Sequence, residues 1–363
     1  MKLAFAGGGT GGHLAPALAL LEELRARGDD SPVIFLTDGR AAPDVVRQVR
    51  ISAASFSFRR WWSIPAGLIR NYRGYRRGRS ELAAACPDLV VGLGGYVSVP
   101  TVLAARRLKI PIVLHEQNAV LGRANRFLSR FASRVIGSFP LPVREGGGPD
   151  PIRTGFPIRR AVRAEAPEST ASGWGLEEGR FTILVLGGSR GARAVNRLAV
   201  ETIQDFRDEA DNLQFIHCAG REDVGVLERA YRKAGVPAAV FDALETIGWA
   251  YSLADLVVGR AGGATLSEIA YWRLPSILIP YPWATDAHQR ANARYFQGAG
   301  AALVYEQDEV STSLLVESVL RLKEDREERE RMSRAAGTLY ISGGAGRMLD
   351  IFQEVIEEKH ETG

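Results

Sequence analysis

The residues best suited to chemistry lie in glycine-rich turns that follow short apolar runs. Gly7-Gly8-Gly9-Thr10-Gly11-Gly12-His13 follows Leu3-Ala4-Phe5-Ala6 and leads into a helical pattern. Glycines let main-chain amides approach phosphate oxygens, and a helix start adds roughly half a positive charge. The device recurs as Gly187-Gly188-Ser189-Arg190-Gly191-Ala192-Arg193 and as Arg260-Ala261-Gly262-Gly263-Ala264-Thr265. A fourth run, Gly92-Leu93-Gly94-Gly95-Tyr96, ends another strand-like segment. One such turn reads equally well as tight packing; several at strand ends point to the handling of diphosphate-bearing substrates.

Polar side chains near these turns suggest the rest of the chemistry. Glu268 stands just beyond the third run, where a carboxylate can accept from both hydroxyls of a ribose diol. It also reads as an ordinary acid in a first helical turn, stabilising by about 0.3 to 1 kcal/mol. His13 is the preferred general base, because histidine titrates near neutrality and this one ends the first turn; Glu116 is the competitor. Gly7-x-Gly9-x-x-Gly12 with Asp38 also fits the fingerprint of a nicotinamide oxidoreductase, a reading that leaves the second-half turns and Glu268–Gln289 unused. A non-catalytic nucleotide-sugar sensor or membrane scaffold is the alternative of a different class.

The elements that must position these residues follow from hydrophobic periodicity. Apolar runs at 2–6, 33–36, 89–93, 112–114, 135–137, 182–186, 213–218, 256–258, 276–279 and 302–305 predict buried parallel strands. Helical patterns alternate with them, as in 16–27 and 265–272, with Pro16 expected near a first turn. The pattern predicts an α/β protein of doubly wound sheets. Glycine and proline interrupt it at 144–164, which places a first domain at 1–155 and a second at 156–340. Residues 166–179 read as a loop. Ile351, Phe352, Val355 and Ile356 form the stripe of a final helix, 341–363, expected to return to the first domain.

The 363 residues suit two domains of roughly 150 to 200 residues. With 46% hydrophobic and 24% charged residues the composition is globular, and the net charge is only +4. Cys86 and Cys218 stand far apart outside any metal-binding spacing, so neither a disulfide framework nor a zinc site is expected. No apolar stretch of about 18 residues occurs, so membrane contact must be peripheral and the chain is expected in the cytoplasm. One segment does invite such contact. From Val45 to Ser80 there is no acid, while Arg47, Arg50, Arg59, Arg60, Arg70, Arg73, Arg76, Arg77 and Arg79 accumulate among Trp61, Trp62, Tyr72 and Tyr75. Leu68, Ile69, Tyr72 and Tyr75 can share a helical face that sits in anionic headgroups.

The first turn, His115-Glu116-Gln117-Asn118, the Gly187–Ala192 turn and the block Arg260–Asn292 together closely resemble the MurG family of N-acetylglucosaminyltransferases, which convert lipid I to lipid II in peptidoglycan synthesis. The matching motifs spread from about Lys2 to Arg347. The resemblance implies a GT-B fold: two Rossmann-like domains facing across a cleft, the C-terminal one holding the nucleotide sugar and the N-terminal one the lipid acceptor. Carried over by motif, Thr10, Gly11 and Gly12 lie against sugar and diphosphate, and Asn118 touches the donor sugar. Arg159 and Ser189 approach the diphosphate, and Leu244 meets uracil through its main chain. Gly263, Ala264, Thr265, Leu266, Ser267 and Glu268 enclose the nucleotide, and Gln289 holds sugar hydroxyls. Phe156 departs from the family's usual asparagine, and His288 from a frequent glutamine.

The implied reaction joins N-acetylglucosamine from UDP-N-acetylglucosamine to the muramyl C4 hydroxyl of lipid I, inverting the donor carbon in one displacement. A base takes the acceptor proton, while Ser189, Arg260 and helix-start amides stabilise the departing diphosphate. No Asp-x-Asp pair occurs. The expectation is therefore no metal site and no required cofactor, with magnesium at most a stimulant. The implied partners are UDP-N-acetylglucosamine, lipid I, an anionic inner-membrane surface through Arg47–Arg79, and candidate cell-wall synthesis proteins; nucleic acid is not among them. The implied place is the cytoplasmic face of the cell membrane, in cell-wall biogenesis and so in cell shape and division.

Overall fold

The computed structural model describes residues 1–8, 11–39, 47–54, 64–142, 148–187 and 193–362, with backbone alone at Gly11, His13 and Thr362. The chain divides into two compact units, Met1–Arg159 with Ile341–Gly363, and Arg160–Tyr340. The first contains β1 (Leu3–Ala6), α1 (Gly11–Ala26), β2 (Val33–Thr37), β3 (Arg47–Arg50), α2 (Ile64–Ala85), β4 (Leu89–Gly92), α3 (Ser98–Arg107), β5 (Ile112–Glu116), α4 (Arg123–Leu128), β6 (Arg134–Gly137) and β7 (Pro151–Arg153). The second begins with α5 (Arg160–Arg163) and α6 (Ser169–Gly173), then β8 (Phe181–Leu186), α7 (Arg193–Thr202), β9 (Leu213–Cys218), α8 (Val224–Ala234) and β10 (Ala238–Phe241). It continues with α9 (Ile247–Leu253), β11 (Leu256–Gly259), α10 (Gly263–Trp272), β12 (Ser276–Leu278), α11 (His288–Gly298), β13 (Ala302–Val304), α12 (Thr312–Glu324) and α13 (Arg326–Leu339). The last helix, α14 (Gly344–Thr362), belongs to the first unit.

Both sheets are parallel, in the orders β3-β2-β1-β4-β5-β6-β7 and β10-β9-β8-β11-β12-β13. Counted within each unit, both begin 3-2-1-4-5-6, the doubly wound order of nucleotide-binding sheets. The order reverses between β1 and β4 and between β8 and β11. In such sheets ligands bind beyond the carboxyl ends of the strands at that reversal, where the turns after β4 and β11 lie.

The central strands are largely apolar runs because helices cover both faces. In the first unit Leu20, Leu24, Met348, Phe352 and Val355 of α1 and α14 pack on Leu3, Phe5 and Val91. Leu82, Val102 and Leu128 of α2, α3 and α4 pack with Ala4, Val90 and Leu114 on the other face. In the second unit Val195, Leu198, Leu227, Leu315 and Leu322 cover Ile183, Val185, Val258 and Ile277.

One pentapeptide occurs in both units. Asp88-Leu-Val-Val-Gly92 supplies β4 and Asp255-Leu-Val-Val-Gly259 supplies β11. Each aspartate clamps the neighbouring strand: Lys2 N donates to Asp88 Oδ2 at 2.7 Å and Thr182 N to Asp255 Oδ2 at 2.8 Å. The aspartate amides donate back to the carbonyls of Lys2 and Thr182 at 2.9 and 2.8 Å.

Several sequence expectations need correction. β3, β7 and β10 were not expected; all lie at sheet edges, where one side needs no partner and residues such as Arg47, Gln48, Arg50 and Arg153 blur the apolar pattern. Pro16 lies inside α1, which begins at Gly11. The 166–179 stretch contains α6. The boundary falls after Arg159, not after Gly155, because Phe156 and Ile158 are buried. Phe156 also sits against His115, and the α14 start at Gly344 packs on the Phe156 carbonyl.

Candidate functional site

In the first unit three loops converge beyond the strand ends. A side chain added at Gly7 would stand 3.1 Å from Leu93 Cβ, and one at Gly12 would stand 3.4 Å from the Gln117 amide. The first turn thus packs against both the turn after β4 and the loop after β5. In the turn after β4, Gly94 and Gly95 take φ of 88° and 73°, a left-handed region that favours glycine. The Ser98 hydroxyl donates to the Gly95 carbonyl at 2.8 Å, and Tyr96 is exposed at the tip. Thr10 lies outside the described residues; Gly11 and His13 begin α1, where only their backbone is described.

Glu116, the competing base, has another occupation. Its Oε1 accepts from the Asn118 amide nitrogen at 3.1 Å and from Asn118 Nδ2 at 3.0 Å. Its Oε2 accepts from Gly122 N and Asn125 Nδ2, each at 3.0 Å. Burial pushes the carboxyl above its ordinary range against the pull of these bonds. Four donors on two oxygens make it the brace of the loop that carries Asn118, with little acceptor capacity left for a substrate proton. His115 Nε2 meets Ser138 Oγ at 3.1 Å in the interior, and Asn125 also donates to the His115 carbonyl at 3.0 Å. Arg159, half-buried, is the last residue of this unit before α5.

In the second unit β11 ends in Arg260-Ala261-Gly262 and α10 starts at once. Gly262 is extended at φ −69° and ψ 143°, and no side chain caps the helix start. Asn292, fully buried on α11, donates to the Ala261 carbonyl at 3.0 Å and pins the turn. Arg260 is 7% exposed. Its Nη1 donates to the carbonyls of Ile279 and Pro280 at 2.9 and 3.3 Å, and its Nη2 to Gln307 Oε1 at 2.6 Å. The guanidinium lies 5.5 Å from the Tyr281 ring centroid. Among the described residues no carboxylate pairs with it, and burial pulls its pKa below the ordinary arginine value while Tyr281 opposes that. A cation held in the interior by neutral acceptors still requires an anion to offset its desolvation.

Within 263–268 the predicted contacts separate by role. Leu266 is fully buried, so only its main chain can reach a ligand. The Ser267 hydroxyl donates to the Gly263 carbonyl at 2.8 Å. Glu268 is half-buried one turn into α10, and the Tyr251 hydroxyl donates to its Oε2 at 2.8 Å. Leu244 is half-buried on the loop between β10 and α9. Gln289 accepts from Tyr281 N at 2.9 Å through Oε1. Before it, Asp286 and Ala287 take φ of 54° and 51°, a strained pair that turns the chain into α11. Ser189 lies outside the described residues. In the interior of this unit, His217 Nε2 meets Asn196 Oδ1 at 3.2 Å and His217 Nδ1 meets Tyr231 Oη at 3.1 Å. Burial pushes the His217 pKa down to about 3, which marks a neutral core histidine.

Sequence reasoning missed Asn125, Tyr251, Asn292 and Gln307. None sits in a glycine run, and each acts on a residue distant in the chain. Among the described residues no group of three or more His, Cys, Asp or Glu is gathered for a metal, and no helix is long and apolar enough to cross a membrane.

Comparisons with known proteins agree with this geometry. The glycosyltransferase family 28 N-terminal domain matches residues 3–136, and the glycosyltransferase family 28 C-terminal domain matches residues 182–347. The crystal structure of Acinetobacter baumannii MurG superposes with a TM-score of 0.73 at 27% identity, covering 97% of this chain and 99% of that one. Fold and site therefore define a two-domain glycosyltransferase of GT-B type. A Halothermothrix orenii protein named UDP-N-acetylglucosamine--N-acetylmuramyl-(pentapeptide) pyrophosphoryl-undecaprenol N-acetylglucosamine transferase is 37% identical, across 93% of this chain and 94% of its own length. A protein of the same name from Anaeromyxobacter dehalogenans is 34% identical across 99% of this chain and 94% of its own. The chain belongs to this family of N-acetylglucosamine transferases, the MurG family.

Proposed function

We propose that the chain moves N-acetylglucosamine from UDP-N-acetylglucosamine to the muramyl C4 hydroxyl of lipid I, forming lipid II with inversion at the donor carbon. The observation that carries this reading is the second-unit turn. It combines a buried, carboxylate-free Arg260, an uncapped α10 start and Glu268 one turn on, the recognition set for a nucleoside diphosphate. Transfer of labelled sugar from UDP-N-acetylglucosamine to a lipid I analogue, with linkage determined, tests it. A β1,4-linked product is expected; donor hydrolysis without transfer, or an α linkage, overturns it.

The displacement needs a proton acceptor at the C4 hydroxyl and charge stabilisation at the leaving diphosphate. Arg260, Ser189 and the amides of Gly263–Thr265 are proposed for the second task. Leu244 meets the base, Glu268 the ribose, and Asn118 and Gln289 the donor sugar. Thr10–Gly12 and Arg159 meet the diphosphate and sugar. His13 is proposed as the base, since both Glu116 oxygens are occupied. Replacing His13 by alanine should lower kcat by at least about a hundredfold; near-normal turnover moves the role elsewhere. The chemistry is proposed to need no bound metal. Full activity after exhaustive chelation is expected, and rescue by magnesium alone contradicts it.

We place the enzyme peripherally on the cytoplasmic face of the membrane, in cell-wall biogenesis with its consequences for cell shape and division. Support comes from α2, where Leu68, Ile69 and Tyr72 are exposed beside Arg70, Arg73 and Arg76. Tyr75 borders that face: it is half-buried against the core, and its ring stacks on Tyr72 with centroids 6.5 Å apart. The helix buries Gly67, Gly74 and Gly78 as its packing seam. Arg47 and Arg77 both pair with Glu81, at 2.8 and 2.7 Å, so they contribute less to the basic surface. Arg59, Arg60, Trp61 and Trp62 lie outside the described residues. Co-sedimentation with anionic liposomes should fall with salt; salt-independent binding contradicts electrostatic docking.

A further inference from the structure

Helix α9 carries a side chain that none of these roles uses. Tyr251 is 1% exposed, and its hydroxyl donates to Glu268 Oε2 at 2.8 Å. Burial, reinforced by the Glu268 charge, holds the phenol proton in place well above the usual range, so the hydroxyl remains a donor at neutral pH.

The two helices that meet through this bond share one anchor. A side chain at Gly248 of α9 would stand 2.5 to 2.7 Å from the carbonyls of Ala164, Ala161 and Val162, so α9 lies directly on that backbone. Trp272, at the end of α10, donates through Nε1 to the same Val162 carbonyl at 2.8 Å. Ser252 of α9 accepts from Ala166 N at 2.9 Å. The segment 161–166 thereby fixes the spacing of α9 and α10, and so of Tyr251 and Glu268.

A glutamate carries three rotatable side-chain bonds, and each hydrogen bond to its carboxylate narrows the orientations it samples. Accepting two vicinal hydroxyls requires one of them. We propose that Tyr251 is a positioning residue that fixes the Glu268 carboxylate for the two hydroxyls of a ribose, and so sets a preference for ribonucleoside over 2′-deoxyribonucleoside diphosphates. Helix α9 also follows the loop carrying Leu244, so the element proposed to meet the base fixes the group proposed to meet the sugar. The inference rests on the reading of Glu268 as the ribose acceptor.

Calorimetric titration of UDP and 2′-deoxy-UDP into the full chain tests both layers. The native chain should prefer UDP. Tyr251→Phe, which keeps the ring, should weaken UDP about tenfold and 2′-deoxy-UDP clearly less, narrowing the preference. Glu268→Ala should abolish the preference, and the double variant should match Glu268→Ala alone. Tyr251→Met is a second donor-free variant, and a thermal transition on each sample checks folding. If Glu268→Ala abolishes the preference while the Tyr251 variants weaken both nucleotides equally, or neither, the positioning role is overturned. If Glu268→Ala leaves the preference intact, the ribose reading has failed and the inference falls with it.

Discussion

The two Asp-Leu-Val-Val-Gly strands are the same piece of scaffold carrying different cargo. In each, the aspartate holds the neighbouring strand through an amide, and the glycine ends the strand at the point where the sheet order reverses. The chains then diverge. After Gly92 the backbone passes through two left-handed glycines and presents an exposed, uncharged Tyr96. After Gly259 it runs extended into α10, buries the Arg260 guanidinium and leaves a helix start without a side-chain cap, with Glu268 behind it. A cation, free helix-start amides and a carboxylate suit a nucleoside diphosphate; an uncharged aromatic tip suits a sugar or its carrier. On the proposed function, the residues that follow a shared strand distinguish a donor side from an acceptor side.

The largest effect should follow from removing the cargo. Arg260→Ala should lower kcat/KM for UDP-N-acetylglucosamine about 10² to 10³-fold, roughly 2.7 to 4 kcal/mol. Tyr96→Ala should instead raise the acceptor KM and leave UDP binding unchanged. Steady-state kinetics with each substrate varied would show it, and an Arg260 effect confined to the acceptor would break the division. Next come the shared glycines. A Cβ at Gly259 would stand 2.4 Å from the Leu186 carbonyl, backbone that cannot yield, whereas one at Gly92 would meet Leu114 Cδ2 at 2.6 Å, the end of a flexible side chain. Gly259→Ala should cost about 3 kcal/mol and Gly92→Ala about 1 kcal/mol in denaturant unfolding; equal losses would show that the two strand ends are packed alike.

A pH effect should appear in the second unit. His217 is held down to about 3, below an unfolded value near 6.5, so its contribution is fully present above about pH 6.5 and lost as pH falls toward 3. Stability should drop by up to about 1.4 kcal/mol per pH unit in that window from this group, and His217→Gln should flatten the slope. An unchanged slope would remove His217 from the account. The smallest effects should be the most alike: Asp88→Ala and Asp255→Ala each lose one strand clamp, about 1 kcal/mol. A large inequality would mean the scaffold is not shared.

The contrast also explains what was legible in the sequence. Central strands such as Phe181–Leu186 are covered on both faces and read as apolar runs; the edge strand Arg47–Arg50 exposes three of its four residues and does not. The places of Arg260 and Glu268 at a strand end and in a first helical stretch were legible, because a strand, a glycine pair and a helix start mark them. Leu266 was legible only by position, and its side chain proved to be core. Tyr251 was not legible, since it reaches Glu268 across 17 residues from a helix with no motif. Nor was the saturation of Glu116, which depends on donors from Asn118, Gly122 and Asn125 meeting one carboxylate.

Amide hydrogen exchange of the full chain with and without UDP tests the division of labour most directly. UDP should slow exchange at 243–251 and 259–268 by at least about tenfold and leave 93–98 unchanged, with a lipid I analogue acting on 93–98. Protection of 93–98 by UDP, with 259–268 unaffected, would contradict the account.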